Sequence, residues 1–173
     1  MTTVTSLGLL IARLIIGFGI AAHGSQKLVG WFGGYGPTGT GQFFETMGYR
    51  PGVFFAVAAG LGELGGGILT AAGLLGAVGP ALIIMVMLVA IFTVHVKNGF
   101  FMTNNGWELC SVYIAGALAF AFGGFGVYSV DNAIGFTQLS GGRIAWLLIA
   151  VAVILAIANI LVRRPAQPPA TQT

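Results

Sequence analysis

Apolar residues fall into five runs, at about 7–29, 53–76, 80–97, 107–125 and 144–162, and glycine, proline and charged residues separate them. Each run approaches the roughly 20 residues with which a helix crosses about 30 Å of hydrocarbon. The pattern predicts an all-α, polytopic transmembrane helix bundle. Proline placement supports the boundaries, because proline suits first helical turns and is costly inside a helix. Pro51 precedes the second run and Pro80 opens the third, while Pro37 lies in the first loop and Pro165, Pro168 and Pro169 lie in a polar tail. No helix is predicted to kink at a proline. The first run has no basic residue before it and no small-residue cleavage site, so it is expected to stay as a span.

Composition decides the solvent. Hydrophobic residues make up 57% of the 173 and charged residues 6%, against roughly 25% charged in a soluble domain. Such a chain cannot clothe a water-facing surface, which excludes a soluble enzyme, a nucleic-acid binder and a disordered protein. The bilayer is its expected partner. The net charge of +3 is not a binding patch, because Arg13, Lys27, Arg50, Lys97 and Arg143 stand singly and only Arg163 and Arg164 adjoin. With the N-terminus outside, Lys27, Arg50, Lys97, Arg163 and Arg164 fall on the cytoplasmic side and Arg143 opposite, which favours N-out and C-in. The single cysteine, Cys110, excludes an internal disulfide and a CxxC pair; it reads as a small passive hydrophobe.

Between the first two runs, residues 30–52 alternate Trp31, Phe32, Tyr35, Phe43, Phe44 and Tyr49 with glycines. An aromatic anchor at the membrane surface, or a lid over a substrate, suits that pattern. In the second run Gly62 and Gly66 have GxxxG spacing, and Ala56, Ala59, Gly66, Gly67 and Thr70 share a face with Glu63, so that face is expected inside. In the fourth, Ser111, Ala115 and Ala119 lie close to the face of Glu108, with Cys110 turned away.

An ionisable group at membrane depth costs roughly 2.5–3.5 kcal/mol on insertion scales, so each needs a partner or a purpose. Five qualify: Arg13, His23, Glu63, His95 and Glu108. Antiparallel threading brings His23, His95 and Glu108 near one membrane surface, with Glu63 deeper on the same side and Arg13 deeper still. Two imidazoles and two carboxylates then converge, with His23, Glu63, His95 and Glu108 as candidate catalytic groups. Lys27, Arg13, Lys97 and Asn98 are the candidate substrate-binding residues. The plainer readings are an Arg13–Glu63 ion pair or an Arg13 cap on internal hydrogen bonds, histidines solvated at the interface, and a Glu108 that favours its own helix N-terminus.

The ordered set HGxxKL at His23 to Leu28, ELGGG at Glu63 to Gly67, HxxxGF at His95 to Phe100, GxE at Gly106 to Glu108 and GFGVYSVD ending at Asp131 resembles the DoxX family of small bacterial membrane proteins. The resemblance implies a four-helix bundle over residues 1–131 in the bacterial plasma membrane. Residues 132–162 would add a loop and a fifth, C-terminal span, and 163–173 a disordered tail. It also implies redox chemistry, since relatives are subunits of a thiosulfate:quinone oxidoreductase or are linked to quinone, thiol and oxidative stress.

Three function classes follow. A quinone reaches its site from lipid and needs hydrogen bonds at its oxygens and protons on reduction; His23 and His95 suit the first need, Glu63 and Glu108 the second, and Lys27 and Lys97 suit an anionic reductant. No flavin or iron–sulfur motif supplies electrons, so a reductant, a bound cofactor or a partner in a membrane redox complex must. The second class is a non-catalytic scaffold that anchors soluble redox enzymes, with the fifth span as a docking or homo-oligomer surface. The third is ligation of a haem or transition metal by His23 and His95, with Glu63 and Glu108 as further ligands.

Overall fold

The computed structural model describes residues 2–164, and the described residues form helices joined by loops, without strands. Helix α1 spans Thr3–Val29, α2 Gly36–Thr46, α3 Gly52–Ala72 and α4 Val78–Ala90, which a π turn (Ile91–His95) and a 3-10 turn (Val96–Asn98) prolong. Helix α5 is Glu108–Gly123, α6 Val130–Ile134 and α7 Gly142–Leu161. Four of these are long and apolar enough to cross a membrane: α1, α3, α4 with its extension, and α7. The run expected at 107–125 forms only the 16 residues of α5, about 24 Å of helix. It is shorter than a typical span, and the C-terminal helix is the fourth that qualifies.

Backbone bonds at its two ends show where α5 goes. Trp107 and Glu108 donate to Gly99 and Phe100 carbonyls beside the end of α4, and past the other end Val127 donates to the Ser6 hydroxyl near the start of α1. Helix α5 therefore runs between the same two ends of the bundle as its neighbours. Helix α7 starts where Ala77 donates to Leu139 and finishes where Arg164 donates to Gly48, and it lies on the bundle through Ala145, Ile149, Ala152 and Ala156. Residues 163 and 164, expected in a disordered tail, are thus described and fastened to the loop before α3; the rest of that tail, 165–173, lies outside the described residues.

Glycine sets how closely the helices approach. A Cβ on Gly67 of α3 would land on backbone atoms of Gly17 and Ala21 in α1, and one on Gly24 would land on Gly60 and Leu64. The α1–α3 contact is therefore backbone against backbone. The GxxxG pair Gly62 and Gly66 turns to the other side, against Val86, Leu82 and Gly79 of α4. Helix α3 is the central element because small residues let it meet both neighbours.

The end of the bundle at Gly73 to Val78 is held by two charged side chains. Arg13, almost fully buried, donates from Nη1 to the Ala71 carbonyl and from Nη2 to Tyr128 O at 2.7 Å. Asp131 accepts from Leu75 N at 2.9 Å and Gly76 N at 2.7 Å, which holds a turn where Gly73, Leu75 and Gly76 all have positive φ. The expected Arg13–Glu63 pair is not formed: Ala71, which Arg13 reaches, lies eight residues and about 12 Å along α3 from Glu63. Arg13 instead caps a carbonyl in the last turn of α3 and one in the loop between α5 and α6.

Gly65 and Gly67 separate packing from propensity. Gly67→Ala is expected to lower the melting temperature in detergent, consistent with an overpacking cost of about 1–3 kcal/mol. Gly65→Ala, whose Cβ meets nothing within 4 Å, should leave the melting temperature unchanged or raise it.

Candidate functional site

At the opposite end of the bundle, α1, α2, α3, α4, α5 and α7 surround a cavity of about 770 Å³ with a mostly apolar lining. Its charged groups are two. Lys27 Nζ donates to Glu63 Oε2 at 2.6 Å, the one salt bridge among the described residues. Glu63 is 5% exposed; it is tolerated in α3 because Lys27 compensates its charge where the glycine contacts bring α1 close. His23, one helical turn before Lys27 and on the same face, also lines the cavity.

His23 is held by its own helix: Nδ1 bonds Gln26 Oε1 at 3.1 Å, and Gln26 Nε2 donates to Phe32 O at 3.2 Å. His95 is held by a loop. Its Nδ1 bonds Asn105 O at 2.8 Å, and Asn98 Nδ2 donates to the same oxygen at 3.1 Å. Asn105 presents that carbonyl from a left-handed conformation, φ 59°. The π turn matters here. In it Val96 N donates to Ile91 O, and the wider turn lets three consecutive residues, Thr93, Val94 and His95, line the cavity. Such turns recur where a helix must carry a site.

Of the eight residues expected at the site, the structure brings His23, Lys27, Glu63 and His95 to the cavity. Arg13 works at the far end, and Lys97 is exposed. Asn98 serves the carbonyl that orients His95. Glu108 accepts from Met102 N at 2.9 Å and closes the loop before α5. The reason is a rotation of α5: its buried face is Cys110, Tyr113, Ala117, Phe120 and Ala121, while Ala115 and Ala119 are exposed. Bulky Tyr113 and Phe120 fill the interior, and the small residues taken for the interior face do not.

That rotation adds residues that sequence reasoning missed. Cys110 and Tyr113 both line the cavity, Tyr113 with its ring edge-on to His23 at 6.2 Å. Tyr49 and Asn159 line it on the side of α7. Tyr49 is buried and its hydroxyl has no partner among the described residues; burial pushes its phenol up and Arg163 partly offsets this. A hydroxyl three residues from Cys110 and an amide three residues from His23 were the available signals for Tyr113 and Gln26. Tyr35 and Phe43 of the aromatic loop, and Met102 in the loop before α5, combine exposure with a place in the lining.

For a metal the donor set is poor. Glu63 is committed to Lys27 and Glu108 to a backbone N–H, and among the described residues no three His, Cys, Asp or Glu side chains are grouped to hold an ion.

Apolar helices around a pocket with a buried ion pair and two oriented imidazoles define a polytopic helical membrane protein with an internal site. Residues 8–96, just over half of the chain, match the DoxX family model, and the chain belongs to the DoxX family. The match takes in His23, Lys27, Glu63 and His95. Comparisons with curated proteins and with solved structures give no match.

The ion pair yields a test of its own. Lys27→Met leaves Glu63 buried without a counter-charge and is expected to cost about 3–5 kcal/mol. Adding Glu63→Leu should recover much of that loss in melting temperature, because the charge that needed compensation is gone.

Proposed function

We propose that the chain is the membrane subunit of a redox system in the bacterial plasma membrane and binds a quinone headgroup in this cavity. The observation that carries the reading is the cavity itself, about 770 Å³ of mostly apolar wall on which His23, Lys27, Glu63 and His95 converge. That volume falls within the range of small-molecule sites, and the few fixed polar groups are what orient a ligand in one. A quinone is an apolar ring with an oxygen at each end, delivered from lipid. The ring suits the Met, Phe and Ala lining, and the imidazoles suit the oxygens once these carry hydrogens in the reduced form.

Proton movement is the task of Lys27 and Glu63, since reduction of a quinone takes up two protons and its reoxidation releases them. A hydrogen-bonded ammonium–carboxylate pair reaching from the cavity towards the interface can relay them. Electrons come from outside the chain, from thiosulfate or a thiol, or from a protein partner in a membrane complex. In this reading α5 is a fifth crossing, completed at each end by loop residues.

The test is saturable binding of a short-chain benzoquinone in its reduced, hydroquinone form to the purified protein in lipid nanodiscs. His23→Ala and His95→Ala are each expected to weaken it about tenfold, the equivalent of one hydrogen bond of about 1.4 kcal/mol, while Glu108→Gln leaves it unchanged. Absence of saturable binding, or equal affinity in all variants, would overturn the proposal and favour a scaffold that anchors soluble enzymes.

A further inference from the structure

The two imidazoles are not free to choose which nitrogen carries the proton. The partner of His95 Nδ1 is the Asn105 backbone carbonyl, which can only accept a hydrogen bond, so Nδ1 must be the protonated nitrogen. The partner of His23 Nδ1 is the carboxamide oxygen of Gln26. Its amide is oriented in turn, because the Gln26 NH₂ group donates to Phe32 O, which leaves the oxygen facing His23. Nδ1 of His23 is therefore protonated as well. In a neutral imidazole one nitrogen donates and the other accepts. Each histidine thus offers Nε2 as a lone-pair acceptor.

Neither Nε2 has a hydrogen-bond partner among the described residues, and neither is among the buried polar atoms left without one. Both rings line the cavity. Two acceptors open to a ligand match hydroxyl groups and mismatch carbonyl oxygens, which are acceptors themselves. Tyr113 does not reverse this bias, because its hydroxyl can donate or accept as the ligand requires.

From these fixed tautomers we infer that the cavity prefers the hydroxyl-bearing form of its aromatic ligand: a quinol or other dihydroxy-aromatic donates to Nε2 of the histidines, and the corresponding quinone binds more weakly. The inference rests on the quinone-site reading and deepens it by naming the redox form. Gln26, Asn98 and Asn105 are its positioning residues, since they set the tautomers without needing to touch the ligand.

The test compares tetramethyl-hydroquinone, tetramethyl-benzoquinone and the dimethyl ether of the hydroquinone on nanodisc-embedded protein, under argon at mildly alkaline pH. The hydroquinone is expected to bind about tenfold more tightly than the other two, since an unmatched acceptor forfeits about one hydrogen bond. Gln26→Leu, which keeps His23 but frees its tautomer, should shrink that preference by strengthening quinone binding, since the freed ring can donate from Nε2 to a carbonyl. Nitrogen NMR of histidine-labelled protein reads the cause directly, because the chain has two histidines; both Nε2 resonances are expected at the unprotonated position. Binding of the quinone or the ether as tightly as the hydroquinone, or a protonated Nε2 on either neutral ring, overturns the inference and leaves the quinone site standing. Failure of all three ligands to bind overturns both.

Discussion

A carboxylate inside an apolar helix bundle needs a counter-charge, and the Lys27–Glu63 pair meets that need at 2.6 Å. The pair constrains much else. It requires α1 and α3 to stay close at one height, which Gly17, Gly24, Gly60 and Gly67 permit by removing side chains from the contact. It also fixes the rotation of α1. With Lys27 turned to α3, His23 on the same face is turned to the cavity, and the bulk of Tyr113 comes to lie edge-on against it.

The two ends of the bundle divide the labour. At the far end the two buried charged groups are held by backbone: Arg13 by carbonyls of α3 and of the loop after α5, Asp131 by the N–H groups of the α3–α4 turn. Such bonds rigidify a junction. At the site end, by contrast, the helix of α4 loosens into π and 3-10 turns, and side chains keep unpartnered polar atoms. Helix α7 is part of this end and no mere appendage, because Leu155 and Asn159 line the cavity and Arg164 ties the helix to Gly48.

Much of this was legible from hydropathy alone. Five apolar runs became five helices because length and apolarity need no partner to be read, and antiparallel threading placed His23, Glu63 and His95 at one end because helix order dictates height. Rotation about each axis was the harder quantity. Glu108 looked like an inward carboxylate, yet its first-turn position let it close a loop instead, and α5 turned Cys110 and Tyr113 inward. The partner of Glu63 was missed for a related reason. Arg13 sits in the apolar part of α1 and Lys27 near its end, so depth favoured Arg13, but the flexible Lys27 side chain reaches inward along the helix. The tautomers of His23 and His95 depend on a three-residue spacing and a left-handed loop residue, and neither leaves a hydrophobic pattern.

The most direct test of the account is photo-crosslinking with an azido-quinone in lipid nanodiscs, followed by mapping of the labelled residues. The account predicts labels within residues 23–27 of α1, 89–95 of α4 and 109–113 of α5, all suppressed by excess unlabelled quinone. Labels confined to the lipid-facing residues of α1 and α7, such as Ile15, Phe18, Ile154 and Leu161, and insensitive to competitor, would contradict it.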